Sequence, residues 1–320
     1  MSSLVICILV RDELPTLPGM LAELPPWASV CVADTGSVDG TREWLREKWL
    51  TEERPASATF AYGQLRKLVE FPWDWSTGFA GAWNRAWSEC DDMVPRGGWR
   101  LSLGCDSFVH DDDGSLERLA ANPDAFGCAS DQVLGFWTES RMQGSSWRRP
   151  LLTRVGHGWT WRYRVHEIPT HPSGDLRTVI QGNLPGLWIE HKRDASTNRS
   201  RWGQYLEAIQ EDRREFPDDT RVCFYYAQTL EGNGRPLEAL AQYEARIEMG
   251  GWDQERYVAA LRVARIHRLM AGPEQGLAMA KRAVGICPDR PEAHELAAQC
   301  ARELPGEQWL FGEGAFRVLE

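Results

Sequence analysis

The chain has 320 residues, of which 42% are hydrophobic and 26% charged, so it is long enough for two domains with a sizeable core. Its formal net charge of −10 argues against non-specific binding of nucleic acid, although it leaves room for a local basic groove. No apolar run approaches the roughly 20 residues that span a bilayer, so no membrane span is expected.

Buried-strand patterns recur along the first half of the chain, at residues 4–10, 29–34, 68–73 and 99–106. Helical patterns lie between them, at residues 17–24, 41–50 and 79–90. Strands separated by helices predict a mostly parallel sheet with right-handed crossovers. The first apolar run lacks the basic flank and the cleavage site of a signal peptide, which predicts a cytoplasmic location.

Polar residues follow each predicted strand. The clusters are Arg11 with Asp12 and Glu13, then Asp34, Asp74 and Asp106. The carboxyl ends of parallel strands share one edge of a sheet, and ligands bind at that edge. The sequence therefore predicts a ligand site there. The acidic run 111–113 that follows the fourth strand is predicted to be a solvated loop.

The pattern changes near residue 198, where strand signals stop and paired helices begin. Residues 217–251 and 252–288 each read as a helix-turn-helix, and 289–303 begin a third unit or a cap. The period is close to the 34 residues of tetratricopeptide repeats. The alternative is an unrelated helical bundle. A short solenoid would hold an acceptor or partner, brace the first domain or form a homodimer.

Six motifs in order carry a family resemblance: ILVRDE (8–13), ADTGSVDGT (33–41), FPWDWSTGFAGAWNRA (71–86), LGCDSF (103–108), RVHE (164–167) and IEHK (189–192). With the helical tail they resemble family 2 glycosyltransferases of the GT-A fold that carry C-terminal tetratricopeptide repeats. The resemblance implies an α/β GT-A domain, Rossmann-like with a mostly parallel sheet, at residues 1–195. An all-α, tetratricopeptide-like helical domain would follow at 196–320.

The resemblance also implies a nucleotide-sugar donor site, most simply for a UDP-sugar. Asp34 would accept a hydrogen bond from a ring N–H of the pyrimidine, and Asp39 would hold the turn or touch the ribose. Alternatively, both carboxylates have structural roles, in stabilising the turn and in capping the next helix. The further donor-binding candidates are Arg11, Thr35, Arg85, Cys105 and Arg164.

A divalent metal site is implied at the end of the fourth strand. The family has Asp-x-Asp there, and its last Asp ligates Mn²⁺ or Mg²⁺ bound to the diphosphate. In this chain Gly104 replaces the first Asp, whereas Asp106 is retained. His191 matches a distal His that completes the metal site in related enzymes, with a structural role as the alternative. Diphosphate oxygens and water would complete an octahedron.

The RVHE motif supplies the candidates for acid–base chemistry. Inverting transfer needs a base that takes the acceptor proton. Glu167 is the first candidate, and His166 is the alternative base or orients the acceptor. A structural ion pair on a surface strand is the competing interpretation. His157, Trp159 and Trp161, just before this motif, could form a wall on which a sugar stacks.

Two further positions depart from the family pattern. Gly78 stands where the family often has Asp, and Trp83 where it often has an Arg that holds the nucleotide. The leading hypothesis is an inverting, metal-dependent glycosyltransferase that acts on a protein, peptide or other large acceptor. Modified DNA and a surface glycan are alternative acceptors. The alternative of another class is an interaction protein that has lost catalytic turnover.

Overall fold

The computed structural model describes residues 3–52, 65–128, 132–192 and 202–304, without the side chains of Gln181 and Trp202. The chain forms two compact units, Met1–Thr197 and Asn198–Glu320. The predicted boundary between residues 195 and 196 lies outside the described residues.

The N-terminal unit alternates strands and helices in its first part and is rich in strands in its second part. Its strands are β1 Leu4–Val10, β2 Ser29–Asp34, β3 Arg66–Glu70, β4 Trp99–Gly104, β5 Ser107–Asp111, β6 Gly135–Met142, β7 Ser145–Arg154, β8 Thr160–Arg162, β9 Ile168–Thr170 and β10 Ile180–His191. Its helices are α1 Leu17–Ala22, α2 Thr41–Trp44, α3 Gly78–Cys90 and α4 Ser115–Ala121, and a π-helical turn, Leu45–Trp49, extends α2.

Eight strands form one sheet in the order β3-β2-β1-β4-β7-β6-β10-β5, and β8 pairs with β9 in a separate ribbon. The pairs β1–β2, β1–β4, β2–β3 and β6–β10 are parallel. This confirms the predicted mostly parallel sheet. The antiparallel strands β5 and β7 are not predicted from sequence, because they are partly exposed and no continuous apolar run marks them.

The core of this unit lies on both faces of β1 and β2. Six of the seven residues of β1 and all six of β2 are buried, as expected for strands covered on both faces. On α3 the buried face includes Trp83, Ala86 and Trp87. The indole Nε1 of Trp87 donates to Ser102 Oγ at 2.9 Å, so this buried donor is paired.

The C-terminal unit is built from antiparallel helix pairs. Its helices are α5 Trp202–Glu215, α6 Thr220–Gly232, α7 Pro236–Glu248, α8 Asp253–Met270, α9 Pro273–Ile286 and α10 Pro291–Glu303. Hydrogen bonds join equivalent positions of successive helix pairs. Tyr257 Oη donates to Glu292 35 residues away, and Arg282 donates to Glu248 34 residues away. The predicted tetratricopeptide-like helical domain is therefore confirmed as a fold.

A buried ion pair joins α7 to α8 across the turn between these helices. Arg246 is fully buried and donates through Nε and Nη2 to Glu255 Oε2, at 3.1 and 3.0 Å. The same guanidinium donates to the carbonyl oxygen of Gly250 at 2.7 Å. Burial raises the pKa of Glu255, and Arg246 opposes that rise. No helix among the described residues combines the length and the apolar character that a membrane crossing needs.

Candidate functional site

The carboxyl ends of β1, β2, β3 and β4 meet at one edge of the sheet. Val10 at the end of β1 lies opposite Asp34 of β2, and Leu9 lies opposite Gly104 of β4. Asp34 in turn lies opposite Glu70 of β3. The polar residues that follow these strands therefore share this edge, where open α/β sheets bind ligands.

Asp34 ends β2 and is fully buried. Its Oδ1 accepts hydrogen bonds from the backbone N–H groups of Gly36 and Ser37, at 2.8 and 2.9 Å. Its Oδ2 is buried and has no hydrogen-bond partner among the described residues. An unpaired buried carboxylate oxygen is costly, so this atom indicates a place for a donor from a ligand. The turn role and a ligand role coexist, because each uses a different oxygen.

Asp39 joins the loop after β1 to the loop after β2. Its Oδ1 accepts from the N–H and the hydroxyl of Thr41, at 3.0 and 2.5 Å, and its Oδ2 accepts from the N–H of Leu14 at 3.0 Å. Burial acts against ionisation, but these hydrogen bonds outweigh it and lower the pKa of Asp39. Thr35 makes a similar link, since its N–H and hydroxyl both donate to the carbonyl of Val10. Both residues hold the loops around Asp34.

Asp106 lies in the turn between β4 and β5, next to the last residue of β10. Its Oδ1 is 3.2 Å from Ser107 Oγ and 3.6 Å from His191 Nδ1. Ser107 Oγ is also 3.3 Å from the same imidazole nitrogen. The backbone N–H of Lys192 donates to the carbonyl of Asp106 at 3.0 Å. The antiparallel pairing of β5 with β10 thus brings together two candidates that are distant in sequence.

Asp106 and His191 offer two donors to a divalent cation. Neighbouring ligands of an octahedral Mg²⁺ are about 3 Å apart when the bonds are about 2.1 Å long. The carboxylate and the imidazole are 3.6 Å apart, which is close to that spacing. Within the described ranges, no group of three or more His, Cys, Asp or Glu side chains is arranged for a metal. The residues therefore fit a metal that takes its other ligands from a diphosphate and water.

Two of the three arginine candidates for donor binding, Arg11 and Arg85, are exposed. Arg11 follows β1, and its Nε is 3.8 Å from a carboxylate oxygen of Asp12. Arg85 lies on α3 with its guanidinium carbon 4.7 Å from the centre of the Phe71 ring, a cation–π contact. Both keep guanidinium groups accessible to a phosphate. Neither approaches Asp34 closely enough for a hydrogen bond or an ion pair in the described part of the chain.

Cys105 is half-buried beside Asp106. Burial raises the pKa of its thiol well above the ordinary value, and the negative charges of Glu13 and Asp106 raise it further. The thiol is therefore protonated at neutral pH and is a poor nucleophile. A contact of Cys105 with a bound nucleotide would be one of packing.

Gly78, at the start of α3, lets the RVHE segment approach closely. Its φ is +61°, and a Cβ at this position would lie 2.3 Å from the Cα and the carbonyl oxygen of Arg164. The N–H of Phe79 donates to that carbonyl at 2.7 Å, and Arg164 Nε donates to the carbonyl of Ser76 at 2.8 Å. Asp cannot occupy this position, because the backbone of Arg164 fills the space.

Trp83, about one turn further along α3, packs against the residues that precede Arg164. It is buried and stacks on Trp161 with ring centres 4.9 Å apart. Asn84 holds the backbone of Trp161 through two hydrogen bonds, at 2.8 and 2.9 Å. Trp83 is thus a packing residue and does not replace the arginine of the family pattern. Trp159 and Trp161 are both buried, so the predicted sugar-stacking wall is wrong.

Glu167 and His166 follow in the same segment. Glu167 is largely buried, and its Oε1 is 3.8 Å from Nη2 of Arg149 on β7. His166 has φ of +53° and Tyr163 has φ of +74°, which are uncommon for residues with a side chain. Strained backbone of this kind concentrates at functional sites. The segment therefore combines uncommon backbone conformations with the ion pair of the structural interpretation.

Three residues near the site were not candidates from sequence. Trp147 of β7 stacks on His191, with ring centres 5.2 Å apart and planes 24° apart. Arg149 contacts Glu167, and Ser107 bridges Asp106 and His191. Only Ser107 has a sequence signal, its place directly after Asp106.

Asp111 ends β5, which corrects the predicted solvated loop at this position. Its carboxylate oxygens accept hydrogen bonds from the N–H groups of Leu116 and Glu117, at 3.0 to 3.3 Å. These are unpaired donors of the first turn of α4, so Asp111 caps that helix. Asp111 is thereby engaged away from the Asp106 site.

Solved structures that are similar to this chain include helical-repeat proteins. No family model matches the chain, and no curated protein matches it. Similar solved structures include YrrB, described as a TPR protein with an unusual peptide-binding site, at 24% identity and a TM-score of 0.27. That match covers 30% of this chain and 48% of YrrB, so the chain spans about half the length of YrrB.

Two other similar structures are also of this kind. The Arabidopsis OM64 TPR domain is 12% identical over 34% of this chain and 88% of its own, with a TM-score of 0.30. PcrH from Pseudomonas aeruginosa is 17% identical over 33% of this chain and 77% of its own, with a TM-score of 0.26. At these scores the fold assignment depends on the helices and strands of this chain itself.

Proposed function

We propose that the N-terminal unit binds a nucleoside-diphosphate sugar, most simply a UDP-sugar, and transfers the sugar with inversion to a large acceptor with the help of Mn²⁺ or Mg²⁺. The observation that carries the proposal is the meeting of Asp106 and His191, 3.6 Å apart. They lie at the sheet edge where Asp34 has an unpaired buried oxygen. The motif resemblance supports the same activity.

On the donor side, Asp34 Oδ2 accepts a ring N–H of the base, while Oδ1 keeps its two backbone partners. Asp106 and His191 would hold the metal, and Ser107 lies within hydrogen-bond distance of both the carboxylate and the imidazole. A bound divalent cation would supply neutralisation of negative charge on the diphosphate. Arg11 and Arg85, which are exposed, are available for the phosphates.

On the acceptor side, Glu167 takes the proton of the attacking group. The acceptor atom forms a bond to the anomeric carbon on the face opposite the diphosphate, and the carbon–oxygen bond to the diphosphate breaks. Arg149 holds the Glu167 carboxylate from β7. His166, the alternative base, adjoins it in the strained segment. A positioned base of this kind contributes roughly 10²- to 10⁴-fold to the rate.

A second candidate function is a non-catalytic interaction protein. Gly78 and Trp83 favour it, because both serve the packing of residues 161–164 on α3. The helical unit would then bind a peptide or protein, or a second copy of the chain. The stacked helix pairs suit such a role, since repeats of this kind present an extended surface.

Thermal shift against UDP-, GDP- and TDP-sugars, each with Mn²⁺ and with EDTA, tests the proposal. A ligand at about 100 times its Kd stabilises the folded state by about 2.7 kcal/mol. We expect one donor to raise the melting temperature, and to do so more strongly with Mn²⁺. The variant Asp34→Asn should reduce the shift, because it weakens binding of the base. No shift with any donor would exclude the transferase, and binding without transfer to any acceptor would favour the interaction protein.

A further inference from the structure

Three buried polar atoms near the carboxyl edge of the sheet have no hydrogen-bond partner among the described residues. They are Asp34 Oδ2, Arg42 Nε and Trp73 Nε1. Asp34 is fully buried, whereas Arg42 and Trp73 are half-buried. The first atom is an acceptor, and the other two carry N–H donors. Buried polar atoms are nearly always paired, so three exceptions on neighbouring segments call for a common explanation.

The segment that follows β3 lies against the loop that follows β2. The N–H of Phe71 donates to the carbonyl oxygen of Asp34 at 3.0 Å. A Cβ added to Gly36 would lie 3.7 Å from the Cα of Pro72 and 3.8 Å from the backbone nitrogen of Trp73. Gly36 is also the residue whose N–H donates to Asp34 Oδ1. Trp73 therefore stands beside the loop that holds Asp34.

Two aromatic neighbours hold the ring of Trp73. Its centre lies 5.2 Å from that of Trp75 and 4.6 Å from that of Phe79, both in edge-to-face contact. Aromatic pairs favour this arrangement, so they restrain the orientation of the indole. The direction of the Trp73 N–H is thus set by packing and not by a hydrogen bond within the described part of the protein.

Arg42 approaches the same edge from α2. Arg46, one turn later on the same face of the helix, donates from Nε and Nη2 to Glu70 at 3.1 and 2.9 Å. Glu70 lies opposite Asp34 in the pairing of β2 with β3. Because β2 and β3 are parallel, α2 runs back from the carboxyl edge, and Arg42 lies closer to that edge than Arg46 does. Its guanidinium has no hydrogen-bond or ion-pair partner in the described ranges.

We infer that Asp34, Arg42 and Trp73 form a pocket for the edge of a uracil-type base, in which a ring N–H lies between two carbonyl oxygens. The inference rests on the proposed function and assigns two further residues to its donor side. The ring N–H donates to Asp34 Oδ2, and the carbonyl oxygens accept from the Arg42 guanidinium and from Trp73 Nε1. One acceptor and two donors of the protein thereby match one donor and two acceptors of the base.

The other bases do not match this set of atoms. Cytosine has a ring nitrogen without a proton, which would face the Asp34 carboxylate, and an amino group, which would face a donor. Adenine has the same two faults, and guanine has a single carbonyl oxygen on this edge. Each mismatch leaves buried polar groups unpaired, and sites of this kind discriminate strongly between otherwise similar ligands.

Isothermal titration calorimetry of the full-length protein with UMP and with CMP, without metal or sugar, tests the inference. The two nucleotides differ only at the base edge. Trp73→Phe keeps an aromatic ring and removes the N–H, and Arg42→Met keeps the length of the side chain and removes its donors. We expect the unaltered protein to prefer UMP by about 100-fold, and each variant to reduce that preference by about tenfold.

The matched controls are Trp75→Phe and Arg46→Met. Trp75 is a ring neighbour of Trp73, and Arg46 lies one turn beyond Arg42 on the same helix face. Both controls should keep the UMP preference of the unaltered protein. The readout is the ratio of the two Kd values, because a general disturbance of the pocket weakens both nucleotides alike. An unchanged ratio in either test variant would overturn the inference, as would an unaltered protein that does not distinguish UMP from CMP.

The outcome is separable from that of the proposed function. The titrations need no metal, sugar or acceptor, so a reduced ratio in both test variants would support the pocket even if no sugar is transferred. An unchanged ratio in a protein that transfers sugar from a UDP-sugar would overturn the pocket alone. Absence of binding by both nucleotides would overturn the pocket and the proposed donor site together. Circular dichroism melting verifies that all four variants are folded.

Discussion

One carboxylate oxygen of Asp34 accepts hydrogen bonds and the other has no partner in the described structure. The two ring nitrogens of His191 differ in the same way. In both residues one polar atom is held by the protein and the other is buried without a partner in the described structure. Buried polar atoms are nearly always paired, so each exception needs an explanation. A ring N–H of the proposed nucleotide explains the unpaired oxygen of Asp34, whereas the proposed metal site uses Nδ1 of His191 and leaves its Nε2 unexplained.

Replacement of Asp106 by Ala tests the metal role. Loss of the carboxylate should weaken UDP binding strongly in Mn²⁺ and little in EDTA, because only the metal-bound complex uses this oxygen. Isothermal titration calorimetry in the two conditions measures the difference. Asp34→Asn is the matched control and should weaken binding by about 1–3 kcal/mol in both conditions, since it places a donor where an acceptor is needed. Equal losses for Asp106→Ala in both conditions would contradict the metal role.

Replacement of Glu167 by Gln tests the base. Gln keeps the size of the side chain but cannot take a proton at neutral pH. We expect UDP-sugar binding to be almost unchanged and transfer to fall by about 10²- to 10⁴-fold. Single-turnover assays with saturating donor separate the two effects. Transfer at the rate of the unaltered enzyme would move the role to His166, for which His166→Gln is the next variant.

Among the elements, α3 determines how the acceptor side is assembled. Its first turn receives the backbone of Arg164 at Gly78, and its next turn holds Trp161 through Trp83 and Asn84. Two of the departures from the family pattern are therefore parts of one packing arrangement. Residues 161–164, which pack on α3, continue directly into His166 and Glu167. This arrangement therefore also positions the proposed base.

Gly78→Ala should destabilise the protein and displace residues 161–164 from α3. A left-handed conformation costs a residue with a side chain about 1–2 kcal/mol, and the new Cβ would also overlap the backbone of Arg164. Gly114→Ala is the control, since Gly114 has a similar φ of +64° and nothing within 4 Å of an added Cβ. Urea unfolding should show a larger loss for Gly78→Ala. Equal losses would mean that the close approach is unimportant.

In the helical unit, Glu292 links α10 to α8 and gives a prediction for acid stability. Hydrogen bonds from Arg290, its own backbone N–H and Tyr257 lower its pKa from 4.5 to about 2, against the opposing effect of burial. The folded state therefore favours the ionised form. Its stabilising contribution is complete above the unfolded pKa and is lost as the pH falls through the folded pKa.

The variant Glu292→Gln should accordingly lower the melting temperature at neutral pH. The difference from the unaltered protein should shrink as the pH falls from about 4.5 towards about 2. Thermal melts followed by circular dichroism across this range measure it. A difference that is constant with pH would show that the effect of the substitution is not electrostatic.

At the scale of the whole molecule, each unit has its own buried core. One centres on β1, β2 and β4, and the other on the α6 to α9 helices. Since a unit with its own core can unfold as a cooperative body, we expect two transitions in differential scanning calorimetry. UDP with Mn²⁺ should raise the temperature of one transition only. A single transition that shifts as a whole would show that the units unfold together.

Local patterns in the sequence were sufficient for much of the architecture. Continuous apolar runs predicted β1, β2 and β4, and paired helical periods predicted the second unit, because burial on both faces and amphipathic helices have distinct periods. Asp34 was placed correctly at the end of β2 for the same reason, whereas β4 ends at Gly104 and Asp106 lies in the turn that follows it. Strand β3 was predicted at residues 68–73 and occupies Arg66–Glu70, since Pro72 cannot continue a paired strand.

Only the tertiary structure decided which of these residues meet. Ser107 and His191 come together because β5 pairs with β10, and Trp147 covers His191 from β7. The position of Glu167 depends on the docking of residues 161–164 at Gly78. The sequence by itself determined the kinds of elements and the polar residues at their ends, since these follow from local periodicity. Strand order, register and close approach depend on pairings between distant segments, which local patterns do not contain.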